Sequence, residues 1–379
     1  MRDGDERLLQ RAIELAARAG RGAAPNPRVG AVVVGAGGAI VGEGWHRRAG
    51  EAHAETQALA AAGEAARGAT LYLSLEPCVH TGRTPPCARA IVAAQVRRVV
   101  VAMIDPDERV AGRGVSELRA AGIEVELAGP ETERAAERLN EDYLLHRRRG
   151  RAFAALKVAA TLDGRIADAS GASQWITGAE ARRRAKELRG LYGAVVVGAG
   201  TLLADDPGLL PPDGPAGAPP FLRCIVDGAL RARPESRLFR VAAEAGIDSP
   251  IVIFCRPDAD PARRAALERE GAEVVPLGEA GAPIPPAAIL RDLARRGVLG
   301  AYVEGGGRTL GAFLAAGCAD KFFWFAAPRL LGDAGGAAAL DAGPRPLAAA
   351  FDWRVEVEER LGEDRLFVLY PRGSGAERA

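Results

Sequence analysis

The sequence predicts an α/β protein of two domains, one over residues 1–148 and a second over 151–372. Three observations carry this. The chain has 379 residues, more than the ~250–300 at which single cores stop growing. Apolar strand-like runs alternate with helix-like ones along both halves, the pattern of a sheet with helices on both faces. Between the halves stands His146-Arg147-Arg148-Arg149-Gly150-Arg151. It reads as a solvated helix end plus linker, because arginines suit the carboxyl-terminal pole of a helix. A phosphate or nucleic-acid patch is the other reading of so short a run.

In the first half, residues 5–19 read as an amphipathic helix. VGAVVV (29–34) reads as a buried strand that turns at Gly35-Ala36-Gly37-Gly38 into the strand AIVGEGW. Residues 54–66 read as helix, TLYLSLEP as strand, 86–95 as helix opened by Pro85-Pro86, and RRVVVAMID as strand. A short helix (114–121), the strand IEVELA and one helix from Pro130 to about His146 complete a three-layer αβα unit. In the second half, strand patterns recur at 153–159, 193–198, 222–227, 250–255, 272–277, 299–303 and 320–326, with helices between several. RVEVEER and RLFVLYP read as a closing antiparallel pair, and the Pro/Gly-rich stretch 207–220 as a loop within this domain.

Composition excludes several classes. A net charge of +1 gives no chain-wide field for nucleic acid or anionic membrane, and 5% aromatics is few for base stacking. No apolar run reaches membrane-spanning length, and the charged amino-terminal stretch has no signal-peptide core. A cytoplasmic enzyme is expected. Five cysteines make no disulfide framework. Cys224 and Cys255, inside apolar strands, read as buried inert thiols.

The chemistry gathers at His53-Ala54-Glu55, Pro77-Cys78 and Cys87. One imidazole and two thiolates are three zinc ligands, which leaves one tetrahedral position open, as in catalytic rather than structural sites. Glu55 stands two residues past the first ligand, close enough to shuttle protons. This is the pattern of zinc deaminases of amino-substituted heterocycles, in which the metal brings the pKa of bound water from ~15.7 toward 7. A closed site with His80 as fourth ligand is the alternative. Lysine occurs only at Lys157, Lys186 and Lys321 in this arginine-rich chain, so Lys157, within the strand FAALKVAAT, draws interest.

The stretches PNPRVGAVVV (25–34), GEGWHRRAGEAHAE (42–55) and LEPCVHTGRTPPC (75–87) resemble the deaminase half of the bifunctional riboflavin-biosynthesis deaminase/reductase family. ALKVAATLDGRIA, GASQWITG, VVVGAGTLLADDP and VEGGGRTLGAFL are similar to its reductase half. The resemblance implies a cytidine-deaminase-like domain followed by a dihydrofolate-reductase-like one, with one Zn²⁺ per chain and NADPH. It implies Asn26, His46, His80 and Thr84 as contacts to the pyrimidine or its ribose phosphate, and Glu55 as proton shuttle. Read bare, Asn26 is equally a turn residue and His46 a surface residue at a strand end. In the second domain it implies Ala159, Trp175, Thr201, Asp205 and Gly305, Gly306 and Gly307 as NADPH contacts. Ser173, Arg189, Leu209 and Glu304 are implied as sugar-phosphate contacts. Lys157, near Asp163, would polarise the open-chain ribose carbonyl; a strand lysine reaching to solvent is the bare reading. Trp175 is also readable as a core anchor.

The expected function is deamination of 2,5-diamino-6-ribosylamino-4(3H)-pyrimidinone 5′-phosphate, then reduction of the ribosyl chain to ribityl, by a dimer or tetramer acting on small molecules only. One departure stands out: where the family has LTxR, this chain has Leu209-Leu210-Pro211-Pro212, without the phosphate-gripping arginine. A deaminase with a degraded second domain is therefore the rival reading. A nucleic-acid base editor is the rival from another class.

Overall fold

The computed structural model describes residues 2, 4–80, 85–212, 217–332 and 337–372. The chain divides into two compact units, one of residues up to 150 joined by 217–219, the other of the remainder.

In the first unit, β1 (Gly30–Val34), β2 (Ile40–Trp45), β3 (Thr70–Leu73), β4 (Arg98–Val101) and β5 (Glu124–Leu127) form a sheet ordered β2-β1-β3-β4-β5. β1 is antiparallel to both neighbours, and β3, β4 and β5 are parallel. The helices are α1 (Asp5–Ala17), α2 (Ala54–Ala62), α3 (Cys87–Ala93), α4 (Arg113–Ala120), α5 (Pro130–Leu139) and α6 (Glu141–Arg149). Strand alternation separates them. Gly30 backs onto Ala12 of α1, whereas Ala31, one residue on, belongs to the apolar cluster with Ala54 and Ala58 of α2. α1 packs with α5, and α2, α3 and α4 touch in succession. The layers are those expected.

Two glycines set the depth of α2. A Cβ on Gly42 would stand 2.2 Å from the Ala58 carbonyl oxygen, and one on Gly44 2.4 Å from that of Ala54. The helix thus rests directly on the β2 backbone, and its first turn, with His53 as N-cap and Glu55 just inside, is held at a fixed height.

Two helix expectations need correction. The helix expected over 54–66 ends at Ala62 and continues as a 3-10 turn from Gly63, whose φ is 52°. The single helix expected from Pro130 breaks at Asn140. Its buried amide accepts the Arg28 N–H at 2.8 Å and donates to the Arg28 carbonyl at 2.9 Å. Arg28 also grips Asp142 through two bonds of 2.8 and 2.9 Å and the Leu139 carbonyl at 2.8 Å. These contacts to the PNPRVG segment redirect the chain into α6.

The second unit holds β6 (Phe153–Thr161), α7 (Ala179–Arg189), β7 (Ala194–Gly198), α8 (Ala199–Asp205), β8 (Leu222–Val226), α9 (Arg237–Glu244) and β9 (Ile251–Cys255). α10 (Pro261–Arg269), β10 (Ala272–Pro276), α11 (Pro286–Arg295), β11 (Gly300–Val303), α12 (Gly307–Ala315), β12 (Lys321–Ala327), β13 (Trp353–Leu361) and β14 (Asp364–Pro371) follow. One nine-stranded sheet runs β10-β9-β8-β7-β11-β6-β12-β14-β13. It is parallel from β10 to β12, and β14 pairs antiparallel with β12 and β13, the expected closing pair. β7 and β9 are buried at every position, as parallel strands covered on both faces should be. Cys224 and Cys255 lie inside this core as free thiols.

Candidate active site

The end of β2, the start of α2, the turn after β3 and the start of α3 bring His46, His53, Cys78 and Cys87 together. His53 Nδ1 stands 3.2 Å from Cys87 Sγ and 3.6 Å from Cys78 Sγ, and the three ligand atoms lie within 4.8 Å of one another. Tetrahedral zinc with Zn–N near 2.0–2.1 Å and Zn–S near 2.3 Å has N···S edges of about 3.5 Å. The observed edges bracket that value, so the donor set fits the ion. The Cys87 amide also donates to Cys78 Sγ at 3.4 Å. The hydrogen bond from Cys87, with help from His53, brings Cys78 down to about 4, while that bond and burial push Cys87 up. His80 lies outside this cluster, although it lines the same cavity.

Glu55 is 3% exposed, and its Oε2 has no hydrogen-bond partner among the described residues. Burial raises its carboxyl above the ordinary range, against the opposing effect of His53. A buried acid with one uncommitted oxygen beside three metal-ligand atoms is suited to carrying a proton.

His46 is 2% exposed, which corrects the surface reading. Its Nε2 meets Asn26 Nδ2 at 3.0 Å, its Nδ1 faces the Ala52 carbonyl at 3.5 Å, and its ring stands edge-on to His53 with centroids 5.1 Å apart. The Asn26 amide donates to Nε2, so Nδ1 carries the proton, and burial lowers the imidazole pKa further. Neutral His46 thereby holds both Asn26 and the metal-binding ring. Thr84 lies outside the described residues.

A cavity of 310 Å³ is lined by Asn26, His46, His53, Glu55, Cys78 and His80, and also by Asp105, Asp107, Arg109, Tyr143 and Arg147. Sequence reasoning missed the second group. A signal existed: the polar run DPDERV follows apolar β4, and ligands of α/β sheets gather beyond the carboxyl ends of strands. Asp105, 6% exposed, accepts the Tyr143 hydroxyl at 3.1 Å and the Asp107 N–H at 2.9 Å, and burial raises it to about 6.

In the second unit, Arg189 and Glu304 form a two-point ion pair, Nε to Oε1 and Nη2 to Oε2 at 3.0 Å. Arg189 Nη1 also reaches the Leu210 carbonyl at 3.1 Å. Half-buried Lys157 has no ion-pair partner among the described residues, and loss of water around its ammonium lowers its pKa. Asp163 turns elsewhere, accepting from the Leu331 and Gly332 amides at 3.0 and 2.6 Å. Ser173 donates to Asp205 at 3.2 Å, and Thr201 Oγ1 accepts the Gly306 N–H at 2.9 Å. A Cβ on Gly305 would meet the Thr309 side chain at 2.5 Å, so the loop entering α12 admits only a bare backbone there. Such a loop fits a phosphate-bearing cofactor. Ala159, on β6, is partly exposed. Trp175 is 59% exposed beneath the Arg182 guanidinium, not a core anchor. The Leu209 side chain, 5% exposed, packs in the core, which leaves only its backbone for a ligand.

Residues 2–103 match the zinc-binding region of the cytidine and deoxycytidylate deaminases, and residues 152–362 match the RibD C-terminal domain. Riboflavin biosynthesis protein RibD of Aquifex aeolicus is 39% identical over 98% of this chain and 99% of its own. This chain belongs to the RibD family. The Escherichia coli K12 protein is 39% identical over 95% of this chain and 97% of its own. A solved structure of Acinetobacter baumannii RibD matches with a TM-score of 0.84 at 36% identity, covering 97% of this chain and 98% of that one. A Thermotoga maritima diaminohydroxyphosphoribosylaminopyrimidine deaminase/5-amino-6-(5-phosphoribosylamino)uracil reductase matches at 0.82 with 33% identity, covering 97% of this chain and 98% of that one. As in other RibD proteins, a zinc-dependent deaminase domain is here fused to a reductase domain. Among the described residues no helix is long and apolar enough to cross a membrane.

Proposed function

We propose that this RibD chain hydrolyses the amine of 2,5-diamino-6-ribosylamino-4(3H)-pyrimidinone 5′-phosphate in its first domain, and reduces the ribosyl chain of the product with NADPH in its second. The domain boundary is placed at 148–151. The observation that carries the reading is the His53–Cys78–Cys87 cluster with the uncommitted Glu55 oxygen beside it.

One zinc ion per chain would be held by His53 Nδ1 and the two sulfurs, and when bound it supplies acidified water at neutral pH. Glu55 would carry one proton from the attacking water to a ring nitrogen, and then the remaining hydroxyl proton to the leaving amine. Water enters, ammonia leaves, and a C–N bond gives way to C=O. Asn26, held by His46, fixes the pyrimidine, and His80 and Thr84 take part in seating it.

In the reductase domain, the Gly305–Gly307 loop, Ala159, Thr201, Asp205 and the Trp175 ring are the residues that would seat NADPH. Lys157, without an ion-pair partner among the described residues, would stand beside the carbon that takes hydride. Ser173, the Leu209 backbone and the Arg189–Glu304 pair would bound the sugar phosphate. The dihydrofolate-reductase-like reading of this domain, a dimeric or tetrameric assembly and a cytoplasmic location belong to the same proposal.

The test is zinc quantification alongside separate assays of ammonia release and NADPH oxidation. One equivalent of zinc and both activities are expected. If single-turnover NADPH oxidation fails with the deaminated intermediate while ammonia release persists, the rival with a degraded second domain is correct.

A further inference from the structure

Arg109 and Arg147 line the deaminase cavity, yet neither has a part in the proton transfers above. Arg109 is fixed: its Nε and Nη2 donate to Asp107 Oδ1 and Oδ2 at 2.9 and 2.6 Å, and its amide donates to Oδ1 at 3.0 Å. Arg147 meets the same carboxylate loosely, Nε to Oδ2 at 3.5 Å, longer than the ~2.7–2.9 Å of a tight charged hydrogen bond. Its guanidinium lies 5.2 Å from the centre of the Tyr143 ring. One carboxylate therefore serves two guanidiniums and satisfies only one of them.

Three neighbouring carboxyls are engaged elsewhere. Glu76 accepts the amides of Asp105, Gly112 and Val115, and Glu51 pairs with Arg48 at 2.8 Å. Asp105 faces the Tyr143 hydroxyl and the Asp107 amide. Arg109 and Arg147 side chains are 57% and 30% exposed, which places their forks where the cavity meets solvent. A guanidinium fork matches the oxygens of a phosphomonoester better than a lysine would.

We propose that Arg109 and Arg147 form a guanidinium pair that grips the phosphate of the deaminase substrate, with Asp107 as the positioning residue that aims both. Arg109 is the standing half of the grip. Arg147 exchanges its loose contact with Asp107 for the phosphate as substrate enters. The assignment rests on the deaminase reading of this cavity.

The experiment measures ammonia release by the zinc-loaded full chain, using the phosphorylated pyrimidine and its dephosphorylated counterpart. The Arg109→Met/Arg147→Met double variant should raise KM for the phosphorylated compound at least tenfold, with kcat within about threefold. It should also lose the preference over the dephosphorylated compound. Inorganic phosphate should compete with substrate in the wild type and compete at least tenfold more weakly in the variant. Arg147→Lys should recover part of the loss. Should the double variant fail to hold zinc, Arg147→Met alone, which breaks the looser contact, should still raise KM threefold or more. Wild-type turnover with KM unchanged in the variants overturns this assignment alone. A zinc-loaded wild type that releases no ammonia from the phosphorylated compound overturns the deaminase reading beneath it.

Discussion

Glu55 and Asp105 are buried carboxyls lining one cavity, and their surroundings give them different work. Among the described residues Glu55 keeps an oxygen without a partner; Asp105 has its oxygens occupied by Tyr143 and the Asp107 amide. Burial raises Asp105 from 3.8 to about 6, so the folded protein binds its proton more tightly than the unfolded chain does. The stability tied to that proton is fully present below about pH 4 and is lost as pH rises through 6. Asp105→Asn removes this loss. Relative to wild type, the variant should therefore gain on the order of 2–3 kcal/mol at pH 8 that it does not gain at pH 4. Urea unfolding at the two pH values measures the difference, and an effect independent of pH would contradict it. At this scale the sequence was legible where chemistry demands a residue type, as at His53, Glu55, Cys78 and Cys87. It was illegible at Asp105, Tyr143 and Arg147, because a carboxylate in a turn and a tyrosine on a helix have ordinary uses everywhere.

Elements set the site by how closely they approach. α2 lies against β2 only because Gly42 and Gly44 present bare backbone, and a methyl group at Gly44 would overlap the first turn that bears His53 and Glu55. Gly44→Ala should cost about 1–3 kcal/mol by overpacking and weaken zinc retention, read from denaturant melts and metal content. Unchanged stability would mean that α2 shifts freely. At the α5–α6 break, Asn140→Ala leaves the Arg28 amide and carbonyl without their partner, a loss of about 2–4 kcal/mol by the same melts. Most strands and helices were legible from apolar periodicity to within a residue or two, but the helix expected over 54–66 and the strands expected over 70–77 and 97–105 each overrun the observed element by four residues. The break at Asn140 was not, because it comes from contacts to Arg28, more than a hundred residues earlier in the chain, which no local pattern can show. α6 carries Tyr143 and Arg147, so the missed break and the missed cavity wall have one cause.

Across the whole molecule the two chemistries should separate by mutation. Lys157→Met should lower NADPH oxidation of the deaminated intermediate ~100-fold while ammonia release stays at the wild-type level. Loss of both activities together would contradict independent sites. The second domain was legible as alternating strands and helices with a closing antiparallel pair, and its Gly305–Gly307 loop as a cofactor contact only through the family resemblance. What replaces the missing LTxR arginine was not legible: Arg189 is engaged by Glu304, and Arg223 is turned into backbone carbonyls, with two of its nitrogens on that of Ser249. The account as a whole stands on the roles of the metal ligands and of the acid beside them. Glu55→Gln tests these most directly, with zinc content and ammonia release measured on the same sample. The account predicts one zinc per chain, as in wild type, and ammonia release lowered at least ~1,000-fold. Loss of zinc, or release within tenfold of wild type, would contradict it.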